Sequence, residues 1–299
     1  FLEEAGTGYK DNITKFRVRI PQMSTYPDLL GAERQLSYVE HINVKALHEY
    51  VQRGTDRRLN YAATLLHRAK LSNGIVHQLY RYPITCLPGR RFAVGATLQS
   101  VTRECREKAC IGIVIDMENC YVVLAYQLAR KLVLSYNPTL CVLGGFHEYI
   151  VRRSQCLTQI QEAFRYTRSA SVELQNQSCS RAHAKELFIR ILHGGARKVW
   201  MTCHKLWPVR GHILTFLDAF EKDAIACVEI IRQARPDLVA MFDQMQRPRP
   251  ELTCFSYALA EVEDAVLANV ELQFKAMGYT AAAPCFDGLI TPLSPQSMF

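Results

Sequence analysis

Apolar residues recur at helical spacing along most of the chain. In Leu252–Met277, the residues Phe255, Leu259, Val262, Val266, Val270 and Phe274 return every three or four positions, which predicts one long helix stopped by Gly278. Leu59–Leu71 reads the same way, with Leu65, Leu66 and Ala69 on its apolar side, and Ala46–Arg53 predicts a shorter helix before it. Residues 121–250 read as mostly helical. Glu118 or Asn119 opens a helix carrying Val122, Val123, Tyr126 and Leu128 towards Lys131, and Ser154–Tyr166 and His212–Gln233 predict two more. Arg235-Pro236 marks a break, because the residue before a proline is steered out of the helical region. Cys141-Val-Leu-Gly-Gly reads as a loop and Gln246-Arg-Pro-Arg-Pro as a linker. Strands are few. Ile111–Ile115 is a short apolar run ended by Asp116, and Tyr279–Cys285 and Leu289–Thr291 predict two strands joined across Phe286-Asp287-Gly288.

Within the helical region, SRAHAKELFIRILHGG (Ser180–Gly195) has a distinctive pattern. Closed by a Gly pair, it predicts a helix on which Arg181, Lys185, Ile189 and His193 stand four residues apart. Each such step drifts by only about forty degrees, so the four project from neighbouring positions on one side. Phe188 and Leu192 fall in the same sector, Leu187 and Ile191 in another, and Glu186 and Arg190 form a narrow polar side. The two cations then continue an apolar stripe, where an uncompensated charge is costly, and they call for an anionic partner. A mixed surface helix with its cations in solvent accounts for the same spacing.

Composition sets the scale. The chain has 299 residues, 49% of them hydrophobic, enough for a sizeable core and for two or more lobes. It opens on Phe, which suggests an excised or processed segment. Eleven cysteines occur without a CxxC pair, which fits reduced thiols in an intracellular protein. No apolar run is long enough to span a membrane and no signal peptide is visible, so a soluble protein without a membrane partner is expected.

The net charge of +8 is unevenly spread. Residues 51–110 carry 11 Lys and Arg against 3 Asp and Glu, residues 151–250 carry 16 against 9, and residues 251–299 carry 1 against 6. That layout suggests a phosphate-binding surface beside a carboxylate-rich site, although a solvated basic surface gives the same count. Arg57, Arg58, Arg68, Lys70 and Arg81 would suit backbone phosphates. Other chemistries lack their motifs: there is no P-loop and no G-x-S-x-G elbow. Cys179, His183, His193, Cys203 and His204 match no standard zinc spacing.

Taken alone, Asp116 could be a helix cap and Asp287-Gly288 a plain hairpin turn. Their order along the chain is more specific. Gly89-Arg90 and Leu98-Gln99 precede Asp116-Met117-Glu118, followed by Arg181, Lys185 and His193-Gly194, and then by Phe286-Asp287-Gly288. This series resembles the polymerase core of family A DNA polymerases over about residues 85–299. A narrower resemblance is to the divergent branch found in polinton-like viruses and transpovirons, which implies a viral or mobile-element source and a helicase domain in the same polypeptide.

The resemblance implies an α+β right-hand polymerase with an antiparallel palm sheet, helical fingers and a reduced helical thumb. Residues 1–85 would be a helical, thumb-like region, 86–120 the first part of the palm, 121–250 the fingers and 251–299 the second part of the palm. It implies that Asp116 and Asp287, with the Met117 carbonyl, hold two magnesium ions, and that Arg181 and Lys185 hold the triphosphate. Lys185 would also protonate the leaving pyrophosphate. Ile189, His193 and Tyr121 would border the incoming nucleotide, and Arg90 and Gln99 would touch nucleic acid. The implied partners are a primer-template and deoxynucleoside triphosphates. Such a site suits two-metal nucleotidyl transfer, because Mg²⁺ takes hard oxygen ligands and the cations neutralise charge gathering on the β- and γ-phosphates.

The chain departs from the family where Ile189 replaces an aromatic residue, His193 a Tyr and Tyr121 a Glu, and where Phe286-Asp287-Gly288 replaces His-Asp-Glu. These changes bear on sugar selection, base stacking and fidelity. The acidic exonuclease motifs of many relatives are not visible in Phe1–Pro83. A single-subunit RNA polymerase or reverse transcriptase, and a decayed polymerase that only binds nucleic acid, are the competing readings.

Overall fold

A computed structural model describes residues 3–4, 16–17, 36–54, 58–82, 89–134, 143–167, 169–171, 173–175, 177–209, 212–279 and 283–291. It is a mixed α+β structure with small antiparallel sheets. The chain divides into two compact units, one built from residues 1–118 with 260–299 and the other from residues 119–259. The second is thus an insertion in the first.

The first unit begins with the short antiparallel pair β1 (Glu3–Glu4) and β2 (Phe16–Arg17). It continues through β3 (Leu36–His41), α1 (Val44–Arg53), α2 (Leu59–Leu71), β4 (Ile75–Arg81), β5 (Phe92–Ala93), α3 (Arg103–Ala109) and β6 (Ile113–Asp116). The Asn43 side chain caps α1 by accepting from the Ala46 N–H at 3.0 Å, and Gly54 ends the helix with φ 68°. In β4 burial alternates residue by residue: Val76, Gln78 and Tyr80 point inward, while Ile75, His77, Leu79 and Arg81 are exposed. β4 is the middle strand of an antiparallel sheet ordered β3-β4-β5.

This sheet corrects the expectation of a separate helical region over 1–85. Its helices pack Leu47, Leu65 and Ala69 into one core with Leu98, Cys105, Cys285 and Ile290. A segment with that shared core is part of the unit that carries the candidate carboxylates. Two of the expected phosphate-binding cations are also tied inside it. Arg68 donates to Gln78 Oε1 at 2.8 Å, to the His77 carbonyl at 2.8 Å and to the Ala96 carbonyl at 3.1 Å, and Arg58 donates to the Ser100 carbonyl at 3.0 Å. Arg57 lies outside the described residues.

The inserted unit opens with α4 (Cys120–Leu134), α5 (Gly144–Ala163), β7 (Phe164–Tyr166), α6 (Arg181–Leu192), α7 (Arg197–His204) and β8 (Leu206–Pro208). It continues with α8 (His212–Ala234) and α9 (Pro236–Gln244), and takes in the first ten residues of α10 (Pro250–Ala276). Aromatic rings fill its interior, with Tyr149–Phe188 centroids 4.2 Å apart and Phe146–Phe220 centroids 4.7 Å apart.

The Gly pair at 144–145 opens α5 instead of forming a loop, a second correction. Asp223 on α8 accepts from the Phe146 N–H at 2.9 Å, satisfying a first-turn donor of α5. A Cβ on Gly145 would stand 2.6 Å from the Phe220 backbone nitrogen, so the helices approach at that glycine. The expected helix over 154–166 therefore starts ten residues earlier, passes a non-helical Arg152, and ends at Ala163 before β7. Gln246–Pro250 is a turn inside this unit, with positive φ at Gln246 and Arg249.

Returning to the first unit, α10 leads to β9 (Ala283–Cys285) and β10 (Gly288–Thr291), and the strands order as β6-β10-β9, all antiparallel. Residues 280–282, part of the predicted first strand, lie outside the described residues. No helix among the described residues is long and apolar enough to cross a membrane.

Candidate active site

Asp116 closes β6 and stands opposite Gly288 in the β6–β10 ladder, which places it beside Asp287 in the hairpin turn. The backbone locks the two ends together: the Met117 N–H donates to the Asp287 carbonyl at 3.1 Å. A Cβ on Gly288 would lie 2.3 Å from the Ile115 carbonyl oxygen, so only glycine permits this approach of the strands. The turn itself is strained. Phe286 adopts φ 60°, a left-handed conformation unusual for a bulky side chain. Its ring packs on the unit's core and lies under two guanidinium groups, Arg106 at 5.5 Å and Arg90 at 5.8 Å from the ring centroid.

Electrostatically the two aspartates form a pair. Partial burial pushes the Asp116 carboxyl up to about 6, and the charge of Asp287 and a hydrogen bond with it push the same way. Arg103 and Arg106 on α3 oppose that rise. Asp116 nevertheless keeps a solvent-exposed face. Two carboxylates that repel each other and share a hydrogen bond are hard oxygen donors whose repulsion a divalent cation relieves, so the donor set fits magnesium. Among the described residues no group of three or more His, Cys, Asp or Glu is placed to hold a metal, so protein ligation would rest on this pair and backbone oxygen.

Arg90 and Gln99 face inward. Arg90 donates through Nε and Nη2 to the two oxygens of Glu263 at 2.9 and 2.7 Å. Gln99 is buried, and its side chain accepts from the Ala93 N–H at 2.8 Å and donates to the Arg91 carbonyl at 3.1 Å. Arg90 ties the segment before β5 to α10, and Gln99 ties the loop between β5 and α3 back to β5.

In the inserted unit, Ser180 caps α6 by accepting from the His183 N–H at 3.1 Å. Ala184, Leu187, Phe188, Ile191 and Leu192 are its buried face. Arg181, Lys185 and Ile189 are exposed, which corrects the expectation that the cations continue the apolar stripe. The buried arc is narrower than the pattern suggested, and this row is the open face beside it. Arg181 reaches Ser154 Oγ at 3.4 Å. His193 ends the helix, with Nδ1 at 3.0 Å from Ser256 Oγ and its ring 5.4 Å from that of Tyr121. The predicted stop is a glycine stop: Gly194 has φ 74°, and Gly195 N–H donates to the Arg190 carbonyl at 2.7 Å.

Sequence reasoning missed the acidic half of α10. Glu263 is buried beneath Arg90; burial pushes it up to about 8, with Arg90 opposing and Asp287 adding to the rise. Beside it Arg91, 3% exposed, binds Asp264 at 2.5 Å and Glu271 at 2.6 Å and also bonds the Tyr38 hydroxyl. The signal was present: carboxylates flanking the apolar stripe of a long helix need buried partners. No family model, curated protein or solved structure matches the chain.

Proposed function

We propose that the chain is the core of a template-directed DNA polymerase of the family A kind, with the 119–259 unit as fingers and the β6-β10-β9 sheet in the palm. The observation that carries this reading is the juxtaposition of Asp116 and Asp287 on adjoining ends of an antiparallel sheet, from two distant parts of the chain. The exposed Arg181–Lys185–Ile189 row on a capped helix is what a triphosphate-binding fingers helix needs, and supports the reading independently.

In this reading Asp116, Asp287 and the Met117 carbonyl hold magnesium. The metal, when bound, supplies activation of the primer hydroxyl and neutralisation of the phosphates. Arg181 and Lys185 bind the β- and γ-phosphates, and Lys185 Nζ donates a proton to the leaving pyrophosphate oxygen. Ile189 borders the base, and Tyr121, held against the His193 ring, packs on the sugar and excludes a 2′-hydroxyl.

Primer extension on DNA and RNA templates, with deoxy- and ribonucleotides and with Mg²⁺ omitted as control, tests the proposal. The wild type should extend a DNA primer on a DNA template with deoxynucleotides. Asp116→Ala and Asp287→Ala should each lower extension by about 10³-fold or more, with duplex affinity within a few-fold. Extension by either variant would remove that aspartate from the chemistry. A wild type inert on every template and nucleotide would end the polymerase reading.

A further inference from the structure

The β7–β8 ribbon of the inserted unit has one dry face and one open one. Phe164, Tyr166 and Leu206 point into the unit, where Phe164 meets the buried Trp200 ring at 5.2 Å. The register sets Arg165 opposite Trp207 on the other face. There Trp207 is 46% exposed and Val209 44% exposed. The Val209 N–H donates to the Ala163 carbonyl at 2.6 Å, which carries the pairing one residue past the ribbon's end. Lys205, also exposed, precedes β8 and accepts through its carbonyl from the Thr167 N–H at 2.7 Å. Arg165 additionally bridges to Ser178, whose Oγ accepts from its guanidinium at 3.4 Å. Arg165 on one strand and Trp207 on the other share this open face, with exposed Lys205 just before β8 and exposed Val209 just after it; these four include two cations and no carboxylate.

A large, half-exposed indole on a strand held rigid from behind, flanked by cations, suits one chemistry above others. Base faces stack on an aromatic ring whatever their sequence, while the adjacent cations take the phosphates. A duplex hides its base faces, so the ribbon fits a single strand. We propose that the outer face of this ribbon, with Trp207 as the stacking platform and Arg165 and Lys205 as phosphate contacts, binds single-stranded DNA. This deepens the polymerase reading, on which it rests for naming the strand as template; the surface itself does not depend on that reading.

The two tryptophans make the test direct, because Trp200 is fully buried and Trp207 is open. Titrating the full chain with a dT oligonucleotide should quench tryptophan emission, and Trp207→Ala should abolish the quench. The same variant should weaken single-strand affinity, measured by anisotropy, roughly 5- to 150-fold, the range spanned by one lost stack. Trp207→Phe should keep most of the affinity, and Arg165→Ala should lessen the salt dependence. Unchanged affinity in Trp207→Ala overturns the proposal. So does an equal loss of affinity by Trp207→Ala for heparin, a polyanion without bases, which would make the face a plain anion patch. The double variant Asp116→Ala/Asp287→Ala should bind the oligonucleotide as the wild type does. A wild type that never extends a primer yet shows the Trp207-dependent quench would sink the polymerase reading alone.

Discussion

Gly288→Ala adds one methyl group at the tightest point of the candidate site. Its Cβ would stand 2.3 Å from the Ile115 carbonyl oxygen and 3.3 Å from the Asp116 Cα. Ordinary contact requires β10 to retreat from β6 by about 1 Å. That movement loosens the Gly288–Asp116 ladder position and the Met117-to-Asp287 backbone hydrogen bond. Overpacking costs about 1–3 kcal/mol and the weakened Met117–Asp287 bond about 1 kcal/mol, so the loss is about 2–4 kcal/mol. For a unit of this size that lowers Tm by roughly 4–16 °C. The strand shift also separates two carboxylates that act on one centre in the proposed polymerase, where a displacement of about 1 Å costs on the order of 10²-fold in rate. Differential scanning calorimetry and single-turnover extension read the two effects. Gly144→Ala, where the added Cβ meets nothing within 4 Å, is the control and should leave both measurements nearly unchanged. A Gly288→Ala protein with wild-type Tm and wild-type turnover would refute the argument that this glycine sets the spacing of the pair.

Four further outcomes follow from the same structure. Lys185→Ala should slow nucleotide incorporation by about 10²-fold or more while leaving duplex affinity near wild type, and Arg181→Ala should do the same less severely; loss of only salt-sensitive duplex affinity in both would make α6 a backbone contact. Tyr121→Ala should raise ribonucleotide use relative to deoxynucleotide use, and an unchanged ratio returns that ring to a packing role beside His193. Glu40 is buried beneath the Tyr80 hydroxyl and the Leu98 N–H, and burial raises it from 4.5 to about 7. Its penalty is therefore absent below about pH 4.5 and grows to about 3 kcal/mol above pH 7, so Glu40→Gln should gain stability over the wild type across that window; parallel pH profiles for the two proteins would contradict it. Arg91→Met should destabilise the first unit by about 3–5 kcal/mol by stranding Asp264 and Glu271, with part of the loss recovered on acidification.

Periodicity carried most of the fold. The stripe from Phe255 to Phe274 is the buried face of α10, and the Leu59–Leu71 boundaries agree with α2, because long amphipathic helices advertise themselves in composition every three to four residues. Burial in Ile75–Arg81 alternates residue by residue but its sequence does not, because Ile75 and Leu79 lie on the exposed face and Gln78 on the buried one, so no period of two could be read there. At 144–145 a local rule lost to a tertiary contact: Asp223, distant in sequence, supplies the cap that lets two glycines begin a helix. In the candidate site, the pairing of Asp116 with the Phe286–Gly288 turn was legible only through the motif order that resembles family A polymerases; the apolar runs place each at a strand end without pairing them. The exposure of the Arg181–Lys185–Ile189 row was not, because four-residue spacing fixes which residues share a face, not how wide the buried arc is.

The acidic C-terminal segment shows why a charge count misleads about a site. Of its six carboxylates, Glu263, Asp264 and Glu271 are buried and joined to Arg90 or Arg91, leaving Asp287 as the one at the turn beside Asp116. Excess negative charge there balances guanidinium groups from a segment that carries excess positive charge, so much of the imbalance between the two segments cancels inside one core. The Gly89-Arg90 element owes its place to the same balance. Arg90 spans Glu263 and the Phe286 ring, so it braces the strained turn alongside the Met117–Asp287 backbone bond. A left-handed phenylalanine costs about 1–3 kcal/mol and persists only where its surroundings over-determine it. Arg90, Arg106, the close Gly288 approach and the core beneath the ring supply that constraint, and what they hold fixed is the position of Asp287.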